Sequence, residues 1–573
     1  MKIYRVNMTD LSTGTEDVPQ EWQLLAGRAL TSAVVAKEVD PTCHPLGSKN
    51  KLVISPGLLT GTNAPNSGRL SVGAKSPLTG GIKESNAGGS SSQKLARLGI
   101  KALIIEGLPA EDKYYSLHVD KEGVKIQEEN QLAGKGNYEV MDRLKARYGD
   151  KIGVMSIGQA GEYRMSAANI SVRDHHGNIR SAGRGGLGAV MASKKIKYIT
   201  IDDSGAGGVP VADAERFKEA ARVFAKTLKE HPVTGQGLPT YGTNILINIL
   251  NEAGGLPTRN FRMGRFEGAN KISGEAMYET IVNRKGKPTH TCHAGCVISC
   301  SQVYVDKEGQ YVTSGFEYET IWGFGAVCYV DDLDVIAQAD RICDDIGIDT
   351  IETAVAVATA MEGGVIGFGD GPGMLKLLRE IEKGSPLGRI IGNGASFTGK
   401  AYGVTRVAVV KDQAIPAYDP RAVKGIGVTY ATTPMGADHT AGYSVTANVL
   451  GVGGKINPLE KGGNVELSRN LQIATAAIDS LGLCLFVAFS VLDNPSAFEA
   501  IVEMVNAQYG LKLGGDEINQ MGKKVLRTER EFNLAAGFTD KDDRLPEFFA
   551  EEVPPHKAKW DFTPEELQEV FAF

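Results

Sequence analysis

Few cysteines, no long apolar run and no excess of positive charge set the first limits on this sequence of 573 residues. Its seven cysteines are too sparse for a secreted disulfide framework, and a group lying close together points to a metal instead. The longest apolar stretch, Leu481–Leu492 broken by Ser490, is too short to span a bilayer. Met1–Asp10 lacks the apolar core of a signal peptide, so the expectation is a soluble cytoplasmic protein without a membrane span. Lys plus Arg number 62 against 68 Asp plus Glu, a net charge of −6 spread without a basic arm. Nucleic acid is therefore not an expected partner, because phosphate polymers need a concentrated positive field. No Gly-Lys-Ser/Thr ending marks a nucleotide-binding P-loop.

Glycine is in excess. The 70 glycines make up about 12 % of the chain, against a usual share near 7 %. They gather in Pro56–Arg69, Lys75–Gly81 and Ser85–Gly89, and again in Arg180–Lys194. Tight β-turns explain some of them, but not the arginines in their midst, Arg69, Arg180 and Arg184. Backbone N–H groups beside guanidinium suit a phosphate or a flat heterocycle.

The length allows three to four domains of about 150 residues. Short β-prone runs punctuated by Gly, Pro and Ser fill the first two hundred residues: Lys2–Asn7, Leu52–Ser55, Lys101–Glu106, Lys151–Ile157 and Ile196–Ile201. Helical spacing takes over at Asp213–Glu230 and returns at 334–345, 353–361, 374–382, 497–509 and 517–532. The expected fold is α+β: a β-rich unit over 1–205, then mostly helical units over 206–402 and 403–573. Asp344-Asp-Ile-Gly-Ile-Asp349 and Asp479-Ser-Leu-Gly-Leu-Cys484 share the pattern Asp-x-x-Gly. In each, the glycine can cap the preceding helix and leave a carboxylate just before the turn. Two ordinary helix ends would look the same; two equivalent clasps on a two-halved ligand is the sharper reading.

Cys292, Cys296 and Cys300 form Cys-x3-Cys-x3-Cys, a metal motif that wants a fourth, distant thiolate if it holds an iron–sulfur cube. Cys484, inside the second Asp-x-x-Gly turn, is the candidate, while Cys43, Cys328 and Cys343 read as small buried hydrophobes. A zinc site using His290 or His293 stays open; a radical enzyme's x3-then-x2 spacing does not match. Acid–base candidates are Glu317 and Glu319 in Phe-Glu-Tyr-Glu-Thr, and His439 after Met-Gly-Ala-Asp.

In this order, the Asn86-Ala-Gly-Gly and Ala182–Met191 segments, Gly-Phe-Glu-Tyr-Glu-Thr, both Asp-x-x-Gly turns and the closing Glu531-Phe-Asn533 resemble the aldehyde ferredoxin oxidoreductase family over nearly the whole chain. The resemblance implies a tungsten bis-pterin cofactor, with molybdenum an open alternative, lying on a β-rich base. It implies pterin and phosphate contacts from Arg69, Asn86, Ala87, Gly88, Arg180, Ser181, Gly183 and Arg184. A Mg2+ ion would bridge the phosphates through the backbone carbonyls of Asn86 and Ser181. Asp344, Ile348 and Asp349 would hold one pterin, and Asp479 with Leu485 the other. Cys292, Cys296, Cys300 and Cys484 would ligate a [4Fe–4S] cluster. The implied reaction oxidises an aldehyde substrate to the acid and passes electrons to ferredoxin or an iron–sulfur subunit, alone or within an oligomer or complex. Glu317 would be the base, His439 a hydrogen-bond donor and Tyr418 a pocket residue.

Several positions depart from the family pattern. Its cluster spacing is x2 then x3, and basic residues of some members are replaced here by Met435 and Ala441. No Glu-x-x-His occurs, so no mononuclear iron between subunits is expected. A member with different redox chemistry, such as the aromatic-ring-reducing type, and a zinc-stabilised binding protein are the alternatives.

Overall fold

The computed structural model describes residues 1–573. Its strands up to residue 201 are β1 (Lys2–Asn7), β2 (Ser12–Asp17), β3 (Leu52–Pro56), β4 (Leu70–Lys75), β5 (Ile82–Ala87), β6 (Ile100–Glu106), β7 (Tyr115–Asp120), β8 (Gly123–Glu128), β9 (Gly153–Ser156), β10 (Ile170–Arg173), β11 (Ile179–Ala182) and β12 (Ile196–Ile201). They form two six-stranded sheets, β2-β1-β6-β3-β4-β5 and β11-β10-β9-β12-β7-β8.

Period-two alternation explains how they stack. Leu52 and Ile54 of β3, and Leu70, Val72 and Ala74 of β4, point into a 28-residue core. They meet Leu117, Val119, Met155 and Val172 of the second sheet there. Val53, Ala102 and Ile104 point the other way, onto Leu30, Val34 and Val35 of helix Gly27–Glu38. The first sheet is thus buried on both faces. The edge strands β5 and β11 come together, bringing Asn86 and Ser181 to one rim.

From Ala214 on, helices dominate around a core of 91 residues. The expected helices are present and extend by a turn or less at either end: Ala214–Glu230, Leu333–Ile346, Thr350–Glu362, Gly371–Lys383, Pro495–Tyr509 and Gly515–Ala535. Asp213, Asp349 and Asp370 cap three of them through their side chains. A three-stranded sheet, β13 (Lys287–His290), β14 (Ser301–Val305) and β15 (Tyr311–Ser314), flanks the cysteine loop. Helix Gly27–Glu38 lay outside the helices expected from the sequence: beside Leu30, Val34 and Val35 it buries Arg28, a residue that interrupts the apolar pattern. That guanidinium lies 2.8 Å from Glu529 and 3.2 Å from Asp479.

Both Asp-x-x-Gly turns are capped as their pattern predicts, by left-handed Gly347 (φ +71°) and Gly482 (φ +76°). The first docks on the segment before β10, where Asn169 N donates to Gly347 O (2.9 Å) and Asp349 N to Ala167 O (2.9 Å). The second docks on the segment between β3 and β4. There Leu58 N donates to Ser480 O (3.1 Å) and Arg69 N to Gly482 O (3.1 Å). Each docking needs a glycine facing it. A Cβ on Gly57 would sit 2.1 Å from Gly482 N, and one on Gly158 2.3 Å from Ile346 O.

Candidate active site

Where the base meets the two clasps lie cavities of 320 Å³ and 180 Å³. Asp344, Ile348 and Asp349 of the first turn line the larger, with Gly88, Arg180 and Ser181. Asp479 and Leu485 of the second turn line the smaller, with Asn86 and His439. Arg69, Gly183, Arg184 and Ile351 line both, so the two adjoin. Pattern-equivalent turns therefore face halves of one composite space, in the size range of ligand pockets. Ala87 ends β5 buried and lines neither cavity.

The site's arginines differ in charge balance. Arg180 is 3.1 Å from Asp174 and donates to the Ser301 hydroxyl at 2.8 Å. Arg184 lies 3.3 Å from Asp349 and 3.7 Å from Glu352, and donates to the carbonyls of Ala414 and Ala437 at 2.6 Å. Arg69 donates to Asn86 Oδ1 at 2.5 Å and has no carboxylate partner. A half-buried guanidinium at the junction of two cavities, with its charge unmatched, suits a phosphate.

Three thiols, those of Cys292, Cys300 and Cys484, line the larger cavity. Asn66 ties the fourth to them. Its Nδ2 donates to Cys296 Sγ at 3.4 Å, its carbonyl accepts from Cys484 N at 2.9 Å, and its N donates to Gly295 O at 3.1 Å. A Cβ on Gly88 would come within 3.0 Å of Cys292 Sγ and 3.3 Å of an Arg69 amino nitrogen. Burial, then neighbouring thiols, pushes Cys296 up to about 12; burial takes Cys484 up to about 11, against the pull of Arg69. Thiols packed this way ionise together only around shared cationic metal. No three His, Cys, Asp or Glu side chains converge as they would on a single ion. His290 faces Asp174 at 3.3 Å, and His293 is buried against Gly68. Cys328 and Cys343 are buried and Cys43 half-buried.

Glu317 precedes helix Tyr318–Phe324, lines the larger cavity and accepts from Thr243 Oγ1 at 2.7 Å. Burial raises its proton affinity, opposed by Thr243 and Arg180. Glu319, two residues on, is the glutamate that reaches His439: Oε1 lies 3.3 Å from Nε2. Its other oxygen accepts from Ala417 N at 3.0 Å. Burial pushes Glu319 up to about 8 and His439 down to about 4, the latter against the pull of Asp438. His439 Nδ1 is buried without a partner. Tyr418 lines neither cavity; it hydrogen-bonds the Tyr443 hydroxyl at 2.9 Å, with its ring 5.8 Å from that of His439. Met435 and Ala441 line the smaller cavity, and so do Lys83, Glu84 and Arg28, which sequence reading passed over. For Lys83 and Glu84 the signal was an adjacent Lys-Glu pair inside a strand that is otherwise mostly buried. Lys83 is buried 3.1 Å from Asp438.

The joined cavities have room and polar lining for a large polar cofactor, and the thiols beside them suit an electron-carrying metal cluster. The chain belongs to the aldehyde ferredoxin oxidoreductase family: the profile of that family's N-terminal domain matches residues 3–203, and that of its domains 2 and 3 matches residues 219–572. It is 37 % identical to the tungsten-containing aldehyde ferredoxin oxidoreductases of Pyrococcus furiosus and Thermococcus kodakarensis, over 97 % of this chain and 92 % of each relative. It is 26 % identical to the WOR-like subunit of an aliphatic sulfonate oxidoreductase from Pyrococcus furiosus, over 95 % of this chain and 88 % of that one. Among solved structures it shares the fold of the active-site complex BamBC of benzoyl coenzyme A reductase. The TM-score is 0.80 at 19 % identity, covering 99 % of this chain and 92 % of that chain. The family implies a tungsten–pterin cofactor and an iron–sulfur cluster. No helix is long and apolar enough to cross a membrane.

Proposed function

We propose that this protein oxidises an aldehyde with water to the carboxylic acid, releasing protons and an electron pair. A [4Fe–4S] cluster held by Cys292, Cys296, Cys300 and Cys484 would carry those electrons singly to ferredoxin or an iron–sulfur partner subunit. The observation that carries the reading is the double duty of the second clasp. Asp479 and Leu485 line one cavity, while Cys484 between them joins the other three thiols.

The donor set fits the cofactor. Asp344, Ile348 and Asp349 would hold one pterin, and Asp479 with Leu485 the other. Arg69, Gly88, Arg180, Gly183 and Arg184 would meet phosphates and pterin edges, and the carbonyls of Asn86 and Ser181 a Mg2+ ion between the phosphates. Cys292, Cys296, Cys300 and Cys484 would hold the cluster. A tungsten–pterin cofactor held there would supply the two-electron oxidation.

The chain's residues position the substrate and move protons. His439, neutral at pH 7, donates a hydrogen bond to the carbonyl oxygen and polarises it. Glu317, which lines the larger cavity beside Arg180 and the thiols, would accept the proton of the attacking water, the role that the family resemblance implies. Glu319 lines neither cavity and acts through His439. Held protonated at pH 7 by burial and 3.3 Å from His439 Nε2, it would donate there and leave Nδ1–H as the donor to the substrate.

Anaerobic purification, metal and pterin analysis, and an aldehyde panel with an artificial electron acceptor test the reading. Tungsten, iron and pterin with aldehyde-dependent reduction of the acceptor are expected; zinc alone would refute it. Inactivity on the panel with copurifying iron–sulfur or flavin subunits would move the reading to an aromatic-ring reductase, whose fold this chain shares.

A further inference from the structure

Most carboxyls lining the two cavities are already spoken for. Asp349 faces Arg184, Asp438 faces Lys83, and Asp479 faces Arg28. Asp344 belongs to a clasp, and Glu317 is held by Thr243. One carboxyl in each cavity is left with no ion pair and no role: Asp340 in the larger, with Arg180 only at longer range, and Glu84 in the smaller, with Arg28 and Lys83 only at longer range.

Their placements match. Asp340 is 4 % exposed and sits one helical turn before Asp344, on the same face of helix Leu333–Ile346. Its Oδ2 accepts from Thr313 Oγ1 at 2.5 Å, and its Oδ1 has no hydrogen bond within the chain. Glu84 is 5 % exposed on β5, near Asp479 and within electrostatic reach of Arg28 and Lys83, with the Ser71 hydroxyl beside it and Asn86 Nδ2 at 3.5 Å. Each cavity therefore pairs a clasp aspartate with a second carboxyl from its wall. Carboxyls buried without an ion pair are costly unless N–H or O–H donors from elsewhere satisfy them.

We propose that Asp340 and Glu84 are second ligand-holding carboxyls, one for each half of the paired cofactor, accepting hydrogen bonds from the N–H edge of its heterocycle. The inference rests on the functional reading above. An amino-pyrimidinone presents ring N–H and amino N–H side by side, donors that a carboxylate accepts well.

The test uses full-length holoenzyme made with tungsten under anaerobic conditions. Asp340→Ala and Glu84→Ala are warmed below the unfolding transition, and released pterin is followed by its fluorescence, with iron content as internal standard. Each variant should release pterin ~10-fold faster than the parent, the effect of one lost hydrogen bond to a charged group. Asp340→Asn and Glu84→Gln, which keep an acceptor oxygen, should fall between. Parent-like release from both alanine variants would overturn the proposal. Loss of iron and a lower melting temperature in step with pterin would overturn it too, by assigning both residues a purely structural place. A parent chain without pterin would instead overturn the functional reading.

Discussion

Glu319 and His439 meet although one begins a helix and the other lies in a distant turn, and that meeting governs the expected pH dependence. With burial holding Glu319 near 8, the carboxyl is mostly protonated at pH 7 and loses its proton only as pH rises, which draws the His439 N–H away from the substrate. kcat/KM should therefore hold level below roughly pH 8 and fall about tenfold per pH unit above it. Steady-state rates across pH 6–10 check this. Glu317→Gln should lose ~10²- to 10⁴-fold in turnover with tungsten and iron retained; Glu319→Gln should lose less, with the falling limb gone. Full turnover in Glu317→Gln with metal bound would remove it from the mechanism. Both glutamates were visible in Phe-Glu-Tyr-Glu-Thr, but choosing between them was not a sequence problem. Two residues apart at the start of a helix, they point to different neighbours, and only tertiary packing decides which neighbour is His439.

At the scale of elements, the clasps were legible because a helix end has a local grammar: apolar periodicity, an aspartate, then a glycine that must take positive φ. Their docking partners were not, since Gly57 and Gly158 are remarkable only for what they touch. Adding a methyl group at either drives a Cβ into backbone that cannot move aside. Gly57→Ala and Gly158→Ala should each destabilise the fold by about 1–3 kcal/mol or more and lower the bound tungsten. Gly462→Ala, at a position with open space around it, should change neither. Thermal unfolding and elemental analysis of the three variants check this. Cys484 was legible for the same local reason, as the cysteine inside the second turn. Cys484→Ser should lose iron while Cys43→Ser does not, as iron analysis of the purified variants will show.

Across the whole molecule, the change from β-prone to helical spacing near residue 210 marked the base and the body. Beyond the backbone docking of the two clasps, part of what joins the two was hidden, because it is made of charge. Arg28, on a helix of the base, binds Glu529 on the long helix Gly515–Ala535 and Asp479 of the second clasp. Sequence patterning treats an arginine and a glutamate as surface residues, whereas here both are buried. Arg28→Ala leaves two carboxylates without their cation and should cost about 3–5 kcal/mol in unfolding free energy. Denaturant unfolding at neutral pH checks this.

The account's main claim is that one composite cavity holds a paired tungsten cofactor, with an iron–sulfur cluster against it. Anomalous diffraction from anaerobic crystals, collected at the tungsten and iron edges, tests it most directly. A tungsten peak inside the joined cavities and iron among Cys292, Cys296, Cys300 and Cys484 is the predicted result. Iron away from Cys484, or no tungsten or molybdenum in the cavities of a fully loaded, active preparation, would contradict it.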